Sequence, residues 1–105
     1  MFRVELGNIE GFLLELDDLS QRKAIHLLRR LEAGTLPFLP HPHGEKVEDG
    51  IYALRITSAS NARLYYSVKG HRIVLLAGHY KRTRKIPREV LEQCRRRVQE
   101  LGERP

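Results

Sequence analysis

Residues 51–79 read IYALRITSASNARLYYSVKGHRIVLLAGH, and this stretch decides the fold. Three strand-like runs, Ile51 to Thr57, Ala62 to Val68 and Arg72 to His79, are separated by the polar Ser58 to Asn61 and by Lys69-Gly70. β-Branched and aromatic residues between short turn signals predict an antiparallel meander. Side chains alternate across a strand, so Leu54 and Ile56 share one face with Leu64 and Tyr66, provided that paired residues have the same parity. Arg55 and Arg63 then share the opposite face. The loop length fits a register that sets these two arginines directly opposite each other, an unfavourable pairing unless an anion or a carboxylate lies between them.

Upstream, Phe2, Val4 and Leu6 alternate with polar residues and predict a short first strand, which passes to a helix near Asn8 through Ile9, Phe12, Leu13 and Leu16. A second helix is expected from Ser20 as N-cap, with Ala24, Leu27, Leu28 and Leu31 on one face and Gly34 ending it in a left-handed conformation. Thr35 to Gly50, TLPFLPHPHGEKVEDG, holds three prolines and two glycines and reads as an irregular connection rather than an element. Downstream, Pro87 suits the first turn of a last helix whose stripe is Val90, Leu91, Cys94, Val98 and Leu101. The expected order is β-α-α-β-β-β-α. With helices segregated from a mainly antiparallel sheet, the class is α+β.

A chain of 105 residues suits one domain, expected to span residues 1–105. The single cysteine, Cys94, excludes an intramolecular disulfide, and the amino terminus lacks the pattern of a secretory leader. No apolar run approaches the roughly 20 residues that cross a bilayer. A cytoplasmic protein without membrane contact is expected. The formal charge of +6 is unevenly spread: residues 1–50 carry 6 basic and 9 acidic side chains, residues 51–105 carry 13 and 4. A second half at +9 attracts polyanions, and nucleic acid outranks a membrane surface as partner because neutralised phosphates release counterions.

Two groups of residues carry candidate chemistry. Arg55 and Arg63 on one face suggest a phosphate site, the alternative being two solvated arginines on an open sheet. His79-Tyr80-Lys81-Arg82-Thr83-Arg84-Lys85 gathers four cations, an imidazole and an aromatic ring where the last strand leaves the sheet. Arginine holds phosphate bidentately, lysine adds a mobile charge, and tyrosine stacks on an unpaired base. Such a run is also compatible with plain solvation. There is no phosphate-binding glycine loop, no GxSxG and no zinc spacing, and His41-Pro42-His43 lacks a third ligand, so no metal and no cofactor are expected. Cys94 lies on an apolar stripe and reads as core.

Gly50-Ile-Tyr-Ala-Leu-Arg55-Ile56, Ala62-Arg63-Leu-Tyr-Tyr66 and Ile73-Val-Leu-Leu-Ala-Gly78-His-Tyr-Lys-Arg-Thr-Arg-Lys-Ile-Pro87, in this order of elements, resemble the RelE/ParE toxin superfamily, and most of all its HigB-like, phage-derived branch. The resemblance implies the toxin of a type II toxin–antitoxin system, silenced by a helix-turn-helix antitoxin. In the RelE and HigB members it also implies an endoribonuclease that cuts mRNA within the ribosome and so inhibits translation. By that resemblance Arg55, Arg63 and Arg82 would be catalytic and Lys81 and Lys85 would bind RNA; His79 and Tyr80 are the candidate catalytic proton-transfer groups, and Arg84 of the same basic run is a further candidate RNA contact. The family pattern of histidine, glycine, phenylalanine reads Ala77-Gly78-His79 here, which leaves the proton-transfer group open between His79 and Tyr80.

Two other functions share this fold class. ParE-like relatives bind DNA gyrase without cutting nucleic acid, and an inactive relic would serve only to bind its antitoxin. Arginines and lysines clustered together favour RNA, whereas arginines capped by local carboxylates favour protein binding.

Overall fold

A computed structural model describes residues 1–58, 61–80 and 85–103. The chain runs through β1 (Arg3–Glu5), a 3-10 turn (Gly7–Ile9), α1 (Glu10–Glu15), α2 (Asp18–Ala33), β2 (Gly44–Glu48), β3 (Ile51–Ile56), β4 (Ala62–Lys69), β5 (Arg72–Tyr80) and α3 (Arg88–Glu103). Its five strands form one sheet in the order β1-β5-β4-β3-β2. Only β1 with β5 is parallel; the other pairs are antiparallel. This is the expected α+β class with one strand more than the sequence reading foresaw.

The extra strand corrects the reading of 35–50 as an irregular connection without an element of its own. Gly44 to Glu48 pairs with β3, and Gly50, at φ +82°, makes the tight turn between them. Gly44 is needed for a separate reason: a Cβ there would lie 2.4 Å from the Leu39 carbonyl oxygen. Prolines dominate the preceding stretch, and the Tyr66 hydroxyl fixes it by donating to the Pro37 carbonyl at 2.9 Å.

The sheet separates two cores. Leu54, Ile56, Leu64 and Tyr66 are buried on the expected common face, with Ile73 and Leu75, against Ala24, Leu27, Leu28 and Leu31 of α2. On the other face Ile51, Ala53, Tyr65, Leu76 and Ala77 meet Cys94, with Val90, Leu91 and Val98 of α3 packed alongside. Cys94 is fully buried in this cluster as a core residue, and burial pushes its thiol up to about 11.

Both ends of α2 differ from expectation. Its N-cap is Asp17, whose carboxylate accepts from the Ser20 N–H at 3.1 Å and the Ser20 hydroxyl at 2.6 Å. Ser20 sits inside the first turn, fully buried, with its hydroxyl also against that of Ser58. At the other end Gly34 is extended (φ −80°, ψ 168°), not left-handed, and its N–H closes the last turn on the Leu31 carbonyl at 3.3 Å.

One irregularity positions the site. The β4–β5 register shifts between Tyr65 and Tyr66, which pair with Ala77 and Leu75, so Leu76 is the extra residue of a β-bulge. Without it His79 would fall on the α2 side of the sheet with Leu75. With it, His79 pairs with Arg63 and shares that residue's face.

Candidate active site

Arg55 of β3 and Arg63 of β4 are direct cross-strand partners, as the loop length implied. The group that makes this pairing tolerable is Glu45 of β2. Its Oε1 lies 2.7 Å from Arg63 Nη1 and its Oε2 lies 3.6 Å from Arg55 Nη2. Glu45 reaches both because it pairs with Ala53, two residues before Arg55 and on the same face. Two guanidiniums facing one carboxylate leave about one positive charge, the charge that balances one phosphodiester.

The arginines are not the solvated pair of the alternative reading. Arg63 is buried, its side chain only 10% exposed, and Arg55 and Glu45 are near 30%. The Arg55 Nε is buried with no acceptor among the described residues, a donor left available in a half-open site. Beside Arg63, the His79 ring stacks on Tyr65 with centroids 5.3 Å apart and planes 16° from parallel. The Tyr65 hydroxyl is pushed up to about 12 by burial, only partly offset by the Arg63 guanidinium, and so stays protonated at neutral pH.

Glu45, Arg55, Arg63 and His79 thus form a row on the part of this face that the α3 core cluster leaves uncovered. Tyr80 is not part of it. As the next residue along β5 it stands on the opposite face, where its ring meets Phe12 of α1 at 5.2 Å. Lys85 is exposed just before α3, while Lys81, Arg82 and Arg84 lie outside the described residues.

Sequence reasoning missed Glu45, because its segment was read as a connection. The alternation of Glu45, Val47 and Gly44, Lys46 before Asp49-Gly50 was the available signal. A carboxylate and an imidazole flanking one buried and one half-buried guanidinium can move protons on either side of a bound phosphate. Among the described residues no group of three His, Cys, Asp or Glu side chains comes together as a metal site would require. No helix among them is long and apolar enough to cross a membrane.

Comparisons with known proteins bear on the fold and the family. The fold is similar to that of a chain in the YoeB-YefM complex from Staphylococcus aureus, at 18% identity and a TM-score of 0.56 over 77% of this chain and 98% of that one. A heterotetrameric YoeB-YefM toxin-antitoxin complex from the same organism matches over the same shares, at 19% identity and the same TM-score. Among curated proteins none matches. Residues 11–99 match the model of the family described as phage derived protein Gp49-like (DUF891), and with most of its length inside that match the chain belongs to that family.

Proposed function

We propose that this chain is the toxin of a type II toxin–antitoxin pair and cuts mRNA on the ribosome, without a metal, through Glu45, Arg55, Arg63 and His79. The observation that supports the reading is their convergence: two guanidiniums side by side, with the Glu45 carboxylate bridging them and the His79 imidazole on the strand next to Arg63. Glu45 accepts the proton of a ribose 2′-hydroxyl, and the 2′-oxygen attacks the adjacent phosphorus. Arg55 and Arg63 stabilise the charge that builds on the non-bridging oxygens. His79 protonates the leaving 5′-oxygen as its bond to phosphorus breaks, which gives a 2′,3′-cyclic phosphate and a 5′-hydroxyl. Lys81, Arg82, Arg84 and Lys85 supply further positive charge along the RNA, and the ribosome fixes the substrate geometry. A helix-turn-helix antitoxin is the expected partner that covers this surface, in keeping with the toxin–antitoxin complexes of similar fold.

One observation favours a second reading. Glu45 caps both arginines, as a purely structural carboxylate would, and that suits a protein-binding toxin of the gyrase type. Inducing the chain in cells and mapping transcript ends, with and without translating ribosomes, separates the two. The nuclease reading expects growth arrest with new ends only during translation, both abolished by Arg63→Met. Arrest without new ends would refute it, and a gyrase supercoiling assay would then test the alternative.

A further inference from the structure

Beyond the catalytic row, a cleft of about 330 Å³ opens where the middle of α2 meets the end of β3. Arg22, Lys23 and Arg55 and two imidazoles, His26 and His43, line it, mostly through the apolar parts of their side chains, with the charged ends at its margin. Leu27 and Thr57 complete the wall, so no carboxylate contributes to the lining. Several cations elsewhere among the described residues are matched by carboxylates: Arg72 by Glu5, Arg95 by Glu48, Arg88 by Glu92. Here the Lys23 ammonium donates to the Thr57 carbonyl and Arg55 reaches Glu45 from one side, while Arg22 has no described carboxylate partner. Like charges lining one concavity repel unless an anion enters, and the walls concentrate their field there.

Arg55 belongs to both places. It forms one side of the Glu45 bridge and also lines the cleft, and its buried Nε has no acceptor among the described residues. We infer that the cleft binds a backbone phosphate of the same single-stranded RNA whose neighbouring phosphate is held by Arg63, with Arg55 joining the two positions. The volume lies at the low end for small-ligand sites, room for a phosphate and part of its nucleoside. Guanidinium forks and imidazole N–H donors match tetrahedral oxygens. The inference rests on RNA being the substrate proposed above.

The test uses the full-length protein and a labelled 2′-O-methyl RNA of about 12 nucleotides, within the usual footprint of single-strand binders and unable to be cut because its nucleophile is blocked. Fluorescence anisotropy across a salt series gives affinity and its salt slope for the wild type, for Arg22→Gln/His26→Gln and for Arg29→Gln. All three altered positions are exposed on α2, so the variants should fold, which thermal melting verifies. Losing one phosphate contact should weaken binding about tenfold in the double variant and flatten the slope by about 0.7, with the Arg29→Gln slope unchanged. In parallel, inorganic phosphate titrated into labelled protein should shift the imidazole resonances of His26 and His43 saturably. Phosphate shifts with unaltered RNA binding in the double variant would overturn the RNA assignment and leave a small-phosphate site. An acidic peptide that displaces phosphate where RNA does not would overturn it in favour of a protein ligand. Absence of both phosphate shifts and the slope change would remove the site altogether. The nuclease reading fails separately: a flattened slope without transcript cleavage keeps the cleft and rejects the nuclease, and cleavage with an unchanged slope does the reverse.

Discussion

Glu45→Gln changes one oxygen to nitrogen at the centre of the site, and the proposed chemistry requires binding and cleavage to respond in opposite directions. In the native protein the charges of Arg55, Arg63 and Glu45 leave the site near +1; in the variant it is near +2. A charge about 4 Å from a phosphate is worth about 1 kcal/mol in water-like surroundings and about 4 kcal/mol at the effective dielectric near a protein surface. With the lower value as the minimum, RNA should bind at least about 5-fold tighter. Cleavage should nonetheless fall by about 10²- to 10⁴-fold, the usual contribution of a general base. Stability should drop by about 1 kcal/mol, since Arg63 loses a charge-assisted bond of 2.7 Å but the amide oxygen can still accept. Anisotropy with uncleavable RNA, primer extension on ribosome-bound mRNA and urea unfolding read the three effects. Cleavage within a few-fold of wild type, together with tighter binding, would refute the base assignment and make Glu45 a cap only. Glu48→Gln, which breaks a pair with Arg95 on an exposed edge, controls for loss of a carboxylate on the same strand.

Leu64→Ala should cost about 2–5 kcal/mol in urea unfolding, because Leu64 is fully buried between the sheet and α2. Arg63→Ala should cost about 1.5–3 kcal/mol rather than the small loss expected of a solvated arginine, and an effect under about 0.5 kcal/mol would contradict its burial and its bond to Glu45. Gly78→Ala should destabilise by about 1–3 kcal/mol, since its Cβ would stand 2.5 Å from the Phe12 ring; Phe12→Ala in the same chain should remove most of that specific clash, and a neutral Gly78→Ala would refute the packing. At high pH the unfolded chain ionises Cys94 from its ordinary 9.0 and Tyr65 from 10.0, while the folded chain holds them up to about 11 and about 12. Stability is therefore complete below pH 9.0 and falls as pH rises through that window, so the urea midpoint should drop between about pH 9 and pH 12, and less so in Cys94→Ala.

The features legible in the sequence are those set by local period and loop length. Alternation alone put Leu54, Ile56, Leu64 and Tyr66 on one face, and the short link after Ile56 implied the Arg55–Arg63 pairing that the structure contains. The helical stripe from Val90 to Leu101 was equally plain, including the burial of Cys94. What stayed hidden is non-local. Glu45 belongs to a strand whose partner, not its own composition, makes it extended, and three prolines upstream mask it. The bulge at Leu76 has no mark in the sequence, yet it decides that His79 rather than Tyr80 joins Arg63. At α2, Asp17 and Ser20 are both good caps, and the choice depends on Ser20 being drawn inward toward Ser58.

The parallel pairing of β1 with β5 has a consequence for how the molecule comes into being. Strands β2 to β5 are joined by short turns and can zip together in sequence, but Glu5 must meet Arg72, 67 residues away, before the sheet is complete. Closing a loop of that length costs about 2 kcal/mol more than closing one of about six residues, an entropic charge settled only by contacts formed afterwards. During synthesis the first strand therefore emerges long before its partner and waits unpaired. Since Phe2, Val4 and Leu6 pack against the main core, that core remains unsealed until β5 has left the ribosome. The newborn chain thus closes its main core late, beside the machine on which its proposed chemistry takes place.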